Sequence, residues 1–290
     1  MSRDAFIAVD WGTTNRRSYR IERGAVVDTQ RDDRGVLAMA GGDWAAEAAA
    51  IRNRHGDLPM LIAGMAGSNR GWREAPYVDC PATIDDLAGA ALWIEPRRTA
   101  ILPGLAQRSS DRPDVMRGEE VQLFGAIAAG LVPANALLCQ PGTHCKWAEA
   151  SDGAILSFST AMTGELFALL KSHGILAAQL GGGVADGAAF RSGVARARGG
   201  DLLTALFGIR AAGVLGMRDD ADAASYASGL LIGTDVAAQR VAGRDVHILA
   251  DPHLSALYST AVTDHGGTAI PIDSHAAFVA GIAHLAENLW

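Results

Sequence analysis

The chain has little cysteine, with Cys80, Cys139 and Cys145 the three in 290 residues. An odd, scattered set without a Cys-x-x-Cys pair excludes a disulfide framework and a cysteine zinc site, so a reducing cytoplasm is the expected compartment. Runs of Lys and Arg are absent and the formal net charge is −7, which argues against a general nucleic-acid surface. No apolar run reaches the roughly 20 residues that span a bilayer. The longest candidate, Leu123 to Cys139, is cut by Gly130, Pro133 and Asn135. The first residues lead straight into a strand pattern, without the charged region and cleavage site of a secretory signal. Neither a Walker A sequence nor a Gly-x-Gly-x-x-Gly behind a strand occurs, which removes the two commonest glycine-rich phosphate loops.

What is present is globular: 49% of residues are apolar, 20% are charged, and 34 are glycine. The length allows one large or two ordinary domains. Ala5 to Val9 reads as a buried strand ending on Asp10. Gly12, Thr13 and Thr14 then make a tight turn, and Ser18 to Ile21 resumes as a strand. A glycine lets the backbone approach a ligand, and amides and hydroxyls at such a turn suit phosphate. Asp10 stands where a Mg²⁺ carried by that phosphate needs an oxygen ligand. Read alone, the stretch fits a phosphate turn or a plain β-hairpin.

A second copy weighs toward the phosphate turn. Ala136 to Gln140 is again an apolar strand, Pro141-Gly142-Thr143-His144 again a glycine–threonine turn, and Lys146 to Glu149 again a strand. Polar turns follow each copy, Arg23-Gly24 and Asp152-Gly153, and each leads into a third strand. A repeat about 130 residues apart means duplicated domains rather than a solenoid. His144 and Lys146 are turn or surface residues, or groups that neutralise charge on a phosphoryl oxygen.

Between the copies, Asp43 is a plausible cap for a helix from Trp44 to His55, and Pro59 to Ala63 is a buried strand. Alternation of strand and helix implies α/β layers. The strand ends in a long polar loop, Gly64 to Tyr77, where ligands bind in open α/β sheets. Ser68, Asn69 and Arg70 offer donors for a hydroxylated or anionic small molecule, and Trp72 an apolar wall. Pro81 to Trp93 reads as a helix or turn. Glu119 and Glu120 open a helix, where the macrodipole favours acids. A kinase acting on a hydroxyl also needs a carboxylate to take the proton. Thr163 reads as an N-cap. Gly229 and Gly233, four apart in a helix from Ala221 to Arg240, imply close approach by a neighbouring helix or a flat ligand such as adenine.

Six stretches together carry a resemblance to a known family: Asp10 to Asn15, Gly71 to Tyr77, Asp114 to Glu120, Pro141 to Trp147, Met162 to Phe167 and Ser228 to Gly233. The chain resembles the 2-dehydro-3-deoxygalactonokinase family, a sugar-acid kinase branch of the actin–hexokinase–Hsp70 superfamily. The resemblance implies an α/β fold of two RNase H-like (actin-like ATPase) domains, with mixed sheets flanked by helices and a cleft between them. Residues 1–133 are then expected to carry the first phosphate hairpin and the sugar-acid side, and 134–290 the second hairpin and the adenosine side. The implied reaction is ATP-dependent phosphorylation of 2-dehydro-3-deoxy-D-galactonate on its 6-hydroxyl, with ATP and Mg²⁺.

The residues carried over are Gly12, Thr13, Thr14, Gly142, Thr143, His144 and Lys146 for phosphate, Asp10 for the metal, and Gly229 and Gly233 for the adenosine side. Asn15, Arg17, Ser68, Asn69, Arg70, Trp72 and Arg117 are the candidates for the sugar acid, Arg suiting a carboxylate because it binds bidentately. Gly118-Glu119-Glu120 is similar to the Gly-Asp-Gln-Gln segment of glycerol-kinase-like enzymes, which points to Glu119 as general base and leaves Glu120 as the alternative. Cys145 stands where the family more often has Ser, and Ala250-Asp251 replaces a Gly-Gly pair. The expected partners are a small-molecule sugar acid and ATP, with no nucleic acid and no membrane, and a homodimer is left open. The other readings are a kinase for a related sugar or sugar acid, and a non-catalytic, nucleotide-switched module of the same fold.

Overall fold

The computed structural model describes residues 5–290. The chain divides into two compact units. One comprises the chain through Asn135 together with Glu149–Phe158 and Ser274–Trp290; the other comprises Ala136–Ala148 and Ser159–Asp273.

In the first unit β1 (Ala5–Trp11), β2 (Arg16–Glu22) and β3 (Ala25–Asp32) form an antiparallel meander. Ile7, Val9 and Trp11, alternate residues of β1, enter one core with Ile62 and Ile101, as a strand's period of two requires. Helix α1 (Trp44–His55) follows, with Asp43 accepting from the Ala46 amide at 3.0 Å as its cap. It leads into β4 (Met60–Gly64), parallel to β1 with Gly64 opposite Trp11. Every β4 residue is buried, which is why its sequence is a continuous apolar run.

Short elements come next: β5 (Tyr77–Asp79), α2 (Ile84–Gly89), β6 (Leu92–Glu95), β7 (Thr99–Ile101), β8 (Gly104–Gln107) and β9 (Asp114–Met116). The stretch 81–93, expected as a helix or turn, is thus a short helix that gives way to a strand. The main sheet runs β3-β2-β1-β4-β7-β6, and β5-β8-β9 make a smaller one. Helix α3 (Glu119–Ala128) ends this part of the chain.

Along the chain β10 (Ala136–Gln140), β11 (Cys145–Ser151) and β12 (Ala154–Ala161) come next, with Glu149–Phe158 of β11 and β12 counted in the first unit. Four helices follow, α4 (Thr163–Ser172), α5 (Ala188–Ala197), α6 (Leu202–Val214) and α7 (Asp220–Ala238). Then come β13 (Asp245–Ala250), α8 (Pro252–Asp264) and β14 (Thr268–Asp273). Asp251 caps α8 with Pro at its start, a favoured pairing. The sheet order β12-β11-β10-β13-β14 repeats that of the first sheet strand for strand up to its fifth member. The repeat legible in the two turns is therefore a repeat of topology.

The last helix, α9 (Ser274–Leu289), packs on α3. Their backbones cross at two glycines: a Cβ on Gly125 would lie 2.0 Å from the Ala277 carbonyl oxygen, and one on Gly281 2.1 Å from that of Val121. Residues 274–290 and 149–158, expected with the 134–290 segment, are thus grouped with the first unit. Among the described residues no helix is long and apolar enough to cross a membrane.

Candidate active site

The first glycine–threonine turn is held from beneath. Gly12 donates to the Asn15 carbonyl at 2.9 Å, and the amides of Gly35, Val36 and Leu37 donate to the carbonyls of Thr14, Gly12 and Thr13 at 3.0–3.2 Å. A Cβ on Gly35 would lie 2.4 Å from the Thr14 carbonyl carbon, so only glycine lets that segment support the turn. With its carbonyls engaged, the turn presents Thr13, Thr14 and Asn15 to solvent; the Asn15 amide donates to Thr14 Oγ1 at 3.0 Å.

Asp10 lies half-buried beside Arg17 in the antiparallel register. Burial pushes its carboxyl above the ordinary carboxylate range; Arg17 opposes the shift and the charge of Glu119 adds to it. Arg17 also hydrogen-bonds the buried phenol of Tyr19. The structure therefore gathers Asp10, Arg17 and Glu119 at the end of β1. Two neighbouring carboxylates offer hard oxygen donors to a divalent cation, so this donor set fits Mg²⁺. Among the described residues no three His, Cys, Asp or Glu side chains form a closed metal cage, and Mg²⁺ ordinarily keeps water and phosphate oxygens in its shell.

Glu119 reaches this position through two glycines. Gly118 has φ +110°, a conformation side chains disfavour, and a Cβ on it would lie 3.1 Å from the Gly64 Cα. The start of α3 is thereby set against the end of β4, next to Trp11 of β1. The adjacent acids separate cleanly. Glu120 is fully buried and both its oxygens accept from the Gly118 amide, at 2.8 and 2.7 Å. Its carboxyl is pushed up to about 8, first by burial and then by the charge of Glu119. Glu119 is half-buried and accepts from the Arg117 amide at 3.1 Å.

The polar loop after β4 folds back on itself. Trp72 and Arg73 both donate to the Ala66 carbonyl, and Ala75 donates to Gly67. Asn69 and Arg70 are exposed, whereas Ser68 is buried, its hydroxyl accepting from the Arg70 amide at 3.3 Å. Trp72 stacks on Trp44 with ring centroids 6.3 Å apart and planes within 10°, and Trp44 packs in turn on Trp11. Arg117 is buried, donates to the Ala75 carbonyl at 2.9 Å and lies over the Tyr77 ring at 4.2 Å. Its Nε and Nη1 have no hydrogen-bond partner, an expensive state for a buried guanidinium.

In the second unit the N-terminus of α4 rests on the Gly142–Thr143 turn. A Cβ on Gly164 would lie 2.4 Å from the Gly142 carbonyl oxygen, and the Glu165 amide donates to the Thr143 carbonyl at 2.9 Å. Gly142, Thr143 and His144 are exposed, with His144 Nε2 2.6 Å from Glu165 Oε2. A helix N-terminus beside a turn of exposed polar groups favours an anion. Lys146, expected among these groups, is instead 4% exposed within β11. Beside the turn lies a cavity of about 170 Å³, walled by Phe167, Leu231, Ile232, Leu254 and Leu257 and edged by Thr163, Ser228 and Tyr258.

Two expectations are corrected here. Thr163 is not the cap of α4: Met162 takes that position without a side-chain cap, and Thr163 Oγ1 donates to Asp235 at 2.9 Å. Gly229 and Gly233 do not face a nucleotide base. A Cβ on Gly229 would lie 2.0 Å from the Phe190 carbonyl oxygen, and one on Gly233 2.9 Å from the Val194 Cα. Helix α5 occupies that side of α7, so close backbone packing accounts for both glycines.

Asp235 was not foreseen. Buried in α7, it accepts from Trp147 Nε1, Thr163 Oγ1 and Tyr258 Oη, each at 2.9 Å. Burial raises its carboxyl above the ordinary range while these donors pull it down. It ties β11, α4 and α8 together around the cavity. An acid inside the apolar run Leu230 to Val236 was the available signal, because a buried charge needs partners.

A family model described as 2-keto-3-deoxy-galactonokinase matches residues 10–285. A Rhizobium meliloti protein, named as a probable 2-dehydro-3-deoxygalactonokinase, is 39% identical, with 98% of this chain and 97% of the relative covered. The Escherichia coli 2-dehydro-3-deoxygalactonokinase is 37% identical, with 97% of each covered. A crystal structure from Sinorhizobium meliloti assigned the same enzyme name superposes with a TM-score of 0.91 at 37% identity, covering 98% of this chain and 99% of that one. The activator of the 2-hydroxyisocaproyl-CoA dehydratase from Clostridium difficile shares the fold alone, with a TM-score of 0.50 at 9% identity over 98% of this chain and 95% of that one. These neighbours have the actin-like ATPase and sugar-kinase fold, in keeping with two sheets of like strand order.

Proposed function

We propose a function from one premise: this chain belongs to the 2-keto-3-deoxy-galactonokinase family. It is an ATP-dependent kinase of sugar acids, which phosphorylates 2-dehydro-3-deoxy-D-galactonate on its 6-hydroxyl in galactonate breakdown and works in the cytoplasm. The observation that carries the reading is the half-buried carboxylate of Glu119, delivered by Gly118 to the strand end where Asp10 and the exposed threonine turn lie.

Glu119 accepts the proton of the substrate hydroxyl as it attacks. Glu120 is set aside for this task because it is sealed from solvent and bound to the Gly118 amide. Gly12, Thr13 and Thr14 are the phosphate-binding residues of the first unit, and Gly142, Thr143 and His144, beside the α4 N-terminus, those of the second. Buried Lys146 adds a positive charge behind that turn. Asp10 holds Mg²⁺, which when bound neutralises phosphate charge. Arg117 and Arg70 hold the carboxylate, with Arg17, Asn15, Ser68 and Asn69 on the hydroxyls. The unpartnered Nε and Nη1 of Arg117 support its share in this. Trp72 acts as a wall through its stack on Trp44. The adenosine side moves from Gly229 and Gly233 to the apolar cavity beside Gly142.

A coupled assay of ADP release over a panel of 2-keto-3-deoxy sugar acids tests the proposal. The expected result is release that depends on the sugar acid, strongest with the galactonate derivative, and a 6-phosphorylated product by mass. ATP turnover at the same rate with and without any sugar acid would indicate a nucleotide-switched module instead.

A further inference from the structure

We infer that Glu47 is a positioning residue for nucleotide binding, bracing the Gly12–Asn15 turn through Arg16 and Arg34; this rests on the reading of that turn as a phosphate site. Arg16 is the first residue of β2 beyond the turn, and Arg34 leads into residues 35–37, whose amides hold the turn from beneath. Both side chains converge on one carboxylate. Arg16 Nη1 donates to Glu47 Oε2 at 2.9 Å, Arg34 Nε donates to the same oxygen at 3.0 Å, and Arg34 Nη2 donates to Oε1. Asp32 bridges the same two residues. It accepts from Arg16 Nε and Nη2 at 3.2 and 2.7 Å and from the Arg34 amide at 3.1 Å. Trp11, just before the turn, donates its indole N–H to the Arg34 carbonyl at 2.9 Å and lies under the Arg16 guanidinium at 4.8 Å. Both ends of the turn and the head of its support are thus tied into one cluster.

Neither helix electrostatics nor burial accounts for this arrangement. An acid in the first turn of α1 is favoured by the macrodipole, but that effect asks for no partner, and Glu47 takes three N–H groups from two arginines. Arg16 is 5% exposed, so its charge needs a carboxylate; the bidentate pair with Asp32 already supplies one. Arg34 is half-exposed and open to water, so its fork on Glu47 is not forced by burial either. What the fork does is fix where residues 35–37 begin. The amides of Gly35, Val36 and Leu37 then fix the carbonyls of Thr14, Gly12 and Thr13. A turn held in this way meets phosphate already ordered, and ordering that precedes binding strengthens it.

Calorimetric titration of the full chain with MgATP, beside steady-state kinetics, tests the inference on Glu47→Gln, Arg34→Lys and Thr14→Val. Glu47→Gln removes an anion near the proposed phosphate site, so charge alone would tighten binding. Bracing predicts the reverse: MgATP affinity falls about 10-fold, the scale of ordering lost from a loosened loop, and KM for ATP rises while kcat at saturating ATP stays near that of the wild type. Arg34→Lys keeps the charge and loses the fork, and is expected to weaken MgATP in the same direction. It carries the test should circular dichroism show Glu47→Gln to be unfolded, because the Arg34 side chain is half-exposed. A folded Glu47→Gln variant that binds MgATP as tightly as the wild type, or more tightly, overturns the inference; so does wild-type affinity in Arg34→Lys. Thr14→Val separates this from the premise. It is expected to weaken MgATP as well, and unchanged affinity there overturns the phosphate reading of the turn and the brace with it.

Discussion

Two neighbouring acids with opposite surroundings carry most of what single residues contribute here. Glu119 is half-buried and near Asp10, and Glu120 is sealed. Glu119→Gln is expected to leave ATP affinity intact and lower kcat by at least about 10²-fold, the scale of lost general-base help. Steady-state kinetics beside calorimetric ATP binding checks it, and near-normal kcat would remove Glu119 from the role. Glu120 bears on stability rather than turnover. Its carboxyl, near 4.5 in an open chain, titrates at about 8 in the fold. The folded state therefore holds this proton more tightly than the unfolded state does. The stabilisation is fully present below the open-chain value and is lost as pH rises toward 8. Glu120→Gln, neutral at every pH, is expected to flatten that decline in urea denaturations at stepped pH. An unchanged pH slope would show that Glu120 is not its source. The pair was legible as acids opening a helix. Which of the two is sealed depends on the Gly118 backbone and on packing brought from Gly64, neither of which leaves a mark on the local sequence.

Among the elements, strands were easier to read than helices. Both strand–turn–strand repeats were legible because each buried strand is a short continuous apolar run with a glycine turn behind it. Helix α6 left no clean stripe, since it exposes as much apolar surface as it buries, whereas the stripe of α5, Phe190, Gly193, Val194 and Ala197, is half small residues because α7 packs close at Gly193, Gly229 and Gly233. Around the second turn the tie between elements is Asp235. Asp235→Ala strands the buried donors of Trp147, Thr163 and Tyr258, at a cost of about 1–3 kcal/mol for a group left unmatched. The expected outcome is a destabilisation of at least that size by denaturation. ATP binding should weaken too, because α4 loses its tether beside Gly142 and Thr143. Unaltered stability and ATP affinity together would refute this view of Asp235.

For the whole molecule, binding and folding are linked. ATP with Mg²⁺ at 100 times its Kd is expected to add about 2.7 kcal/mol of stability through mass action, read as a rise in Tm by scanning calorimetry. No rise at saturating nucleotide would refute ATP binding by the folded chain. The duplication was visible in the sequence from its two turns, and the duplicated strand order followed from it. What composition and periodicity did not reveal is that the final helix belongs with the first unit. That pairing depends on the crossing of Gly125 and Gly281, two residues far apart in sequence that look unremarkable where they stand.

The placement of α9 on α3 has a consequence for synthesis. Ribosomes make this protein from the N-terminus, so α3, with Glu119 at its head, emerges long before the segment that packs against it. Until the 274–290 segment has been made, the face of α3 that it packs on stays uncovered. Removal of residues 274–290 is therefore expected to loosen α3 and, with it, Glu119, the proton acceptor proposed above.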